Sequence, residues 1–169
     1  MSSLIQTPTT VPFDTRHFRH ALSQFATGVT VITTTADDGS MLGMTATSFN
    51  SVSLQPPLVL WSLGAMASSL AAFTTCSHYV INVLAADQST LANRFASKMS
   101  NRFEGIDIDV SEHGQPILRG SVGWFECSNR SRYPEGDHVI FVGEVARCEF
   151  VSRAPLVFHA GDYASTRPL

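Results

Sequence analysis

Residues 29–49 read VTVITTTADDGSMLGMTATSF, and the fold turns on their interpretation. The run 29–35 is dense in Val, Ile and Thr, whose branched side chains suit a pleated strand and lose rotamer freedom in a helix. Asp37-Asp38-Gly39 then supplies turn chemistry, because Gly accepts positive φ and Asp bonds its own backbone. A second strand, antiparallel to the first, is expected over 42–49.

Upstream, Asp14 has the chemistry of a helix N-cap, and Phe13 and Phe18 are spaced as a hydrophobic staple around it. A helix is predicted over 15–26, ended by Gly28. Its apolar positions Phe18, Ala21, Leu22 and Phe25 share one face, which must pack on something. Downstream, Pro56-Pro57 interrupts the chain before buried strands at 58–63 and 78–84, with a short helix over 67–73 between them. A further helix should start with Asp87 as its cap and turn Leu91 and Phe95 inward. The charge, Gly and Pro content of 101–120 predicts a surface excursion rather than core. SVGWFEC at 121–127, HVIFVGEVARCEFV at 138–151 and PLVFHAG at 155–161 are strand-like. Many strands, few helices and short connections predict a mainly β fold with flanking helices, an antiparallel barrel rather than a parallel βαβ sheet. One domain is expected over 13–169, preceded by a flexible Ser/Thr/Pro-rich arm at 1–12.

The chain has 169 residues, 44% hydrophobic and only 15% charged, against about 25% charged in an average soluble domain. Part of the apolar surface is therefore expected to meet a second subunit. A net charge of −3, a single lysine (Lys98) and no basic run argue against nucleic-acid binding. Cys76, Cys127 and Cys148 form no CxxC pair, so neither a disulfide framework nor a zinc site is expected, and a reducing cytoplasm suits them. No apolar run is long enough to span a membrane, and the start of the chain lacks the pattern of a signal peptide.

P-loop, GxSxG, HExxH and GxGxxG motifs are all missing, so a nicotinamide bound here would be held without a Rossmann crevice. Residues 43–54, GMTATSFNSVSL, are dominated by small hydroxyl side chains that allow close approach of a ligand rich in acceptors or of a phosphate. The same composition also suits an edge strand with a polar outer face. Glu135-Gly136-Asp137-His138 opens a long apolar strand, where the histidine could orient a ligand or serve as a hydrogen-bonded structural residue. His17, His20, His78, His113 and His159 have no spacing that favours a shared metal.

Taken in order, FRHALSQFATGVTVITT, GMTATSFNSVSLQPPLVLWS, YVINVLAADQ with a following RFA, GDHVIFVGEV and PLVFHAGDY resemble the short-chain flavin reductases that serve two-component monooxygenases. The resemblance runs from about Phe18 to Tyr163 and keeps the family's motif order. It implies an FMN-binding split β-barrel that works as a homodimer. It also implies hydride transfer from NADH, or NADPH, to FAD or FMN, with reduced flavin released to a partner monooxygenase, here one acting on an aromatic compound.

By the same resemblance the flavin lies along Thr45, Ala46, Thr47 and Ser48, with Ser51 and Ser53 nearby. The segment Ser62 to Ser68, including Ala65, corresponds to a family segment near the flavin phosphate, although SLGAMAS lacks the basic residue many members carry there. Asn82 and Val83 would border the flavin, Arg102 and Phe103 would cover it, and Tyr163 would stand near the site. His138 falls on the family's Gly-Asp-His motif, beside the nicotinamide and flavin rings. Hydride transfer requires stacking and alignment more than a strong acid or base, which agrees with so sparse a set. Two other readings share the barrel: a non-catalytic flavin-binding carrier or sensor, and an oxidase of the pyridoxamine-phosphate type, which the scarcity of clustered cations disfavours.

Overall fold

The structure, a computed structural model, describes residues 13–167; the arm expected over 1–12 lies outside them. Helix α1 (Thr15–Ser23) is capped as expected: Asp14 Oδ1 accepts from the Arg16 and His17 backbone N–H groups at 2.8 and 3.2 Å. The Phe13 and Phe18 rings of the staple sit 5.2 Å apart. The helix ends earlier than position 26 because Thr27 and Gly28 leave it to pair as a strand, β1 (Thr27–Gly28). Its apolar face remains open: Phe18, Leu22 and Phe25 are 46%, 57% and 75% exposed.

The remaining elements follow as β2 (Thr30–Thr35), β3 (Met41–Ala46), β4 (Asn50–Leu54), β5 (Pro57–Gly64), α2 (Leu70–Thr75) and β6 (His78–Val83). A 3-10 turn (Ala86–Gln88) leads into α3 (Ser89–Ala96), then β7 (Ile108–Val110), β8 (Pro116–Leu118), β9 (Gly123–Glu135), β10 (His138–Phe150), β11 (Leu156–His159) and β12 (Asp162–Ser165). The main sheet has seven strands in the order β3-β2-β6-β9-β10-β5-β4, every pairing antiparallel.

That order makes the sheet a barrel. Strands β3 and β4 lie at its opposite edges, which in a flat sheet would be about 29 Å apart at the usual strand spacing. Yet only Thr47, Ser48 and Phe49 separate them, and that link spans at most about 14 Å when fully extended. The sheet must therefore curl until its edges nearly meet, which leaves a seam that the link crosses. This is the split barrel expected from the resemblance.

Strand β2 shows why the opening stretch reads as it does. Ile32 points into the barrel, where Trp61 stacks on Phe141 at 4.5 Å and meets Phe73 and Tyr79 edge-on. Val29 and Val31 face the other way, into a second core under α3 with Leu84, Phe95, Leu118 and Leu156. Thr30, Thr33 and Thr34 of the same run are buried too, and their hydroxyls donate to carbonyls, Thr30 to Ala46 at 2.8 Å and Thr34 to His78 at 2.9 Å. Buried hydroxyls need such partners, and a strand covered on both faces can provide them.

Two expectations are corrected. Asp87 does not cap a helix; it pairs with Arg153 at 2.7 Å, and α3 begins two residues later. Residues 101–120 are not simply a surface excursion, since Phe103, Ile117 and Leu118 are buried and Thr34 and Thr35 bind Gln115. The charged residues Asp107, Asp109 and Glu112 are exposed on the outside of that segment, while its apolar residues close the second core.

Candidate active site

Where the barrel is split, the register that sets Asn50 opposite Leu60 would set Ser48 opposite Ser62. There a side chain replaces the backbone in the ladder: Ser62 N–H donates to Ser48 Oγ at 2.9 Å, and Ser48 Oγ donates to the Ser62 carbonyl at 3.2 Å. Beside this clasp lies a cleft of about 770 Å³. One wall is β3 from Met41 to Thr45, and a second is Leu63 with the loop Met66 to Ser69. The third is the end of α3 and the turn after it, Phe95 to Ser100 with Arg102 and Phe103.

Gly43 decides how close these walls come. A Cβ there would lie 2.5 and 2.7 Å from two ring carbons of Phe95 and 3.3 Å from Phe103, so only glycine lets both rings lie against β3. The rings meet edge-to-face at 5.0 Å. Two polar ties fix the same wall: Thr45 Oγ1 donates to the Ala92 carbonyl at 2.6 Å, and Arg102 donates to the carbonyls of Gly43 and Ser97 at 2.8 and 2.5 Å. The buried Arg102 Nε has no partner among the described residues.

The cleft is electropositive in an acidic protein. Lys98 and Arg102 line it, no Asp or Glu does, and Ser68, Ser69, Ser97 and Ser100 add hydroxyls. Lys98 is the chain's only lysine and forms no ion pair among the described residues. Sequence reasoning missed it and judged the phosphate segment to lack a cation. The cation comes from the next wall, in RFASKMSNRF, where Lys98 and Arg102 lie four residues apart.

Of the site residues expected from the sequence, the structure brings Thr45, Ser68, Arg102 and Phe103 into this cleft. Thr47 and Ser48 are exposed on the link, Ser62 faces Ser48, and Ala65 is exposed beside Met66. Ala46 is 6% exposed and belongs to the barrel core. Ser51 and Ser53 lie further along β4, outside the cleft.

Asn82 is fully buried, and its amide is used inside the fold: Nδ2 donates to the Val31 carbonyl and to Thr33 Oγ1, and Oδ1 accepts from Leu118 N–H at 2.8 Å. Its side chain joins β2, β6 and β8 and does not reach the cleft, and neighbouring Val83 lies between β2 and β9. Tyr163 packs on Phe158 and donates to Asn93 Oδ1 at 3.2 Å, outside the cleft.

His138 lies opposite Gly64, at the root of the loop that forms the second wall. The Asp137 carbonyl accepts from Ala65 N–H at 2.8 Å, tying the two segments together. His138 Nδ1 is 2.7 Å from Asp137 Oδ1, and its side chain is 51% exposed. The hydrogen bond from His138 holds the Asp137 carboxyl below its ordinary range.

A smaller groove of about 330 Å³, between Ile117 and Val151, contains none of the expected site residues. His78 and His113 stack at 3.9 Å near Glu126, but among the described residues no group of three or more His, Cys, Asp and Glu could hold a metal ion. No helix among them is long and apolar enough to cross a membrane.

The fold is thus an antiparallel barrel split along one seam, with an acid-free, cation-bearing cleft beside it. The chain belongs to the flavin reductase like domain family, which matches residues 22–167. It is 43% identical to the FMN reductase (NADH) SmoA of Agrobacterium fabrum over 89% of this chain and 85% of that protein. It is 41% identical to the reductase subunit HsaB of a flavin-dependent monooxygenase from Rhodococcus jostii, over 92% of this chain and 80% of that one. The NADH:FAD oxidoreductase SgcE6 of Streptomyces globisporus, solved with NAD and FAD fragments, superposes with a TM-score of 0.88 at 36% identity, covering 94% of this chain and 96% of that one. Some other matches are longer, and the chain spans 48%, 50% and 53% of three of them.

Proposed function

We propose that this chain is an NAD(P)H:flavin oxidoreductase, which reduces FMN or FAD by hydride transfer and releases the reduced flavin to a monooxygenase component. The observation that carries this reading is the seam cleft, with two cations, no acid and an aromatic and thioether wall. A flavin tail ends in phosphate and its ring system is apolar and planar, so the two ends match the two sides of the cleft. Lys98 and the hydroxyls of Ser68, Ser97 and Ser100 would take the phosphate, and Phe103 and the β3 backbone would border the rings. Bound flavin supplies the two-electron acceptor. The protein's own part is to hold and align the two partners, because hydride transfer depends on approach geometry.

His138 is assigned to the nicotinamide side, where the ring can orient the donor, and Thr47, Ser48 and Ser62 to the rim. NADH is the donor of SmoA by its name, and it is taken as the donor here. A homodimer is proposed on the open stripe of Phe18, Leu22 and Phe25, which a second copy would cover. The three free cysteines fit a cytoplasmic location. The partner oxygenase is taken to act on an aromatic compound.

The test is steady-state NADH oxidation with FMN, FAD and riboflavin in turn. Sustained turnover with added flavin is expected. Tight stoichiometric flavin without turnover would instead identify a carrier or sensor of the same fold.

A further inference from the structure

Every methionine of the sequence except Met1 lines the seam cleft: Met41 and Met44 on β3, Met66 in the loop after β5, and Met99 after α3. Three of them reach solvent, with Met66 97%, Met99 52% and Met41 41% exposed, while Met44 is partly buried against the barrel core. Chance does not readily collect four thioethers on one cleft of a chain this size. An unbranched, polarisable thioether adapts to an irregular ligand and makes favourable contacts with aromatic ring edges. It is also the apolar side chain most readily converted to a polar one, by oxidation to the sulfoxide.

The proposed activity supplies the oxidant. Reduced flavin that misses its oxygenase gives two electrons and two protons to dioxygen, leaving oxidised flavin and hydrogen peroxide. Peroxide transfers one oxygen to a thioether: an S–O bond forms, the O–O bond breaks, and the second oxygen leaves as water. The sulfur is oxidised and the peroxide reduced, with no further reactant.

We infer that Met66, Met99 and Met41 are sulfoxidation sites at the mouth of the flavin cleft, through which peroxide from uncoupled turnover weakens flavin binding. The inference rests on the flavin reading of this cleft. A sulfoxide turns a flexible apolar side chain into a polar one: at Met41, on the β3 side assigned to the rings, it would weaken thioether packing on them, and at Met66 and Met99 it would disturb the wall beside the phosphate. The reductase thereby slows when its product is being wasted on dioxygen, and it recovers when the sulfoxides are reduced.

The experiment exposes the purified full-length protein to hydrogen peroxide, quenches with catalase, and treats with dithiothreitol to return thiols to the reduced state. Intact mass and peptide mapping then locate the added oxygens, and FMN KM and kcat are measured before and after. Oxygens should appear first on Met66, then on Met99 and Met41, with FMN KM raised about 2- to 10-fold, the scale of weakened thioether packing, and kcat little changed. Methionine sulfoxide reductases A and B together should restore KM, and the M41L/M66L/M99L variant should show the same KM before and after peroxide. Oxidation mapping elsewhere first, or rim sulfoxides with unchanged FMN KM, overturns the inference, as does a triple variant that responds to peroxide like the parent. Lys98→Ala measured alongside separates the two layers. If it raises FMN KM while sulfoxidation does not, the cleft is the flavin site and the peroxide device is absent; if neither moves KM, the flavin cleft itself is misassigned.

Discussion

Ser48 and Ser62 close the barrel where its backbone ladder stops: the Ser48 hydroxyl accepts from Ser62 N–H at 2.9 Å and donates to the Ser62 carbonyl at 3.2 Å. One side chain thus does the work of a strand residue and holds the link from β3 to β4 against β5. Ser48→Ala removes both bonds. Because Ser48 is exposed, water can take over the freed groups, so the loss should stay near the net value of a single hydrogen bond, about 0.5–1.5 kcal/mol in urea unfolding. FMN KM should rise with it, since the link borders the cleft. An unchanged urea midpoint would show that the clasp carries no stability.

Lys98 is expected to recognise the phosphate rather than the rings. Lys98→Ala should raise FMN KM by roughly 5-fold, the worth of about 1 kcal/mol for an exposed ion pair, and leave riboflavin KM unchanged. The difference should shrink in high salt, where exposed charges are screened. Equal losses for FMN and riboflavin would place Lys98 outside the phosphate site.

Gly43 sets the spacing of the aromatic wall. Gly43→Ala would put a methyl 2.5 Å from the Phe95 ring, so Phe95 and Phe103 must shift. Overpacking of this kind costs about 1–3 kcal/mol, which in a domain this size lowers Tm by roughly 2–12 °C. Adding Phe95→Leu should recover part of the loss, and a double variant no better than the sum of the two single changes would contradict this account.

The strands could be read from the sequence because their signal is local. VTVITTT needs no distant information to be a strand, and Asp14 with its phenylalanine staple marks a helix start wherever it occurs. The seam could not be read this way, because nothing in Thr47-Ser48-Phe49 says that the strands on either side sit at opposite edges of one sheet. The place of Asn82, expected at the flavin border, was hidden for the same reason. A polar residue inside YVINV can serve a ligand or a buried backbone group, and its partner, Leu118 N–H, comes from a segment that the sequence assigned to the surface. Lys98 was overlooked because it lies 30 residues beyond Ser68, the residue it joins in the cleft.

Glu126 ties the 111–113 turn to β9. Its side chain is fully buried, and Oε1 accepts from Ser111 Oγ, from His113 N–H at 3.0 Å and sits 3.1 Å from His113 Nδ1. Burial pushes the carboxyl up, but the hydrogen bonds from Ser111 and His113 outweigh it and hold Glu126 below its ordinary value. A carboxyl depressed in the folded state contributes stability above its unfolded pKa and loses it as pH falls through the folded value. The stability advantage of the parent over Glu126→Gln should therefore be full at neutral pH and shrink below about pH 4, the ordinary glutamate range. Melting curves of both proteins from pH 7 to 3 decide it; a constant gap across that range would mean that another group titrates.

On the proposal that His138 meets the nicotinamide, its surroundings decide which ring nitrogen is left for that contact. An ionised, exposed Asp137 can only accept, so the 2.7 Å contact puts the hydrogen on His138 Nδ1. That leaves Nε2 as the free edge of the ring, near Gly64, where a Cβ would come within 3.9 Å of it. His138→Ala should then lower kcat/KM for NADH by roughly 5- to 150-fold, the range of a lost positioning hydrogen bond at about 1–3 kcal/mol, with flavin affinity and Tm little changed. A larger loss would indicate an obligatory proton donor, which reduction with water at hand does not require. Asp137→Asn should act in the same direction and more weakly, because the ring stays in place but its tautomer is no longer fixed. The outcome that removes His138 from the site is an alanine variant that melts early while its folded fraction reduces flavin at the parent rate: the Asp137–His138 pair would then serve only to tie the start of β10 to Gly64 and Ala65.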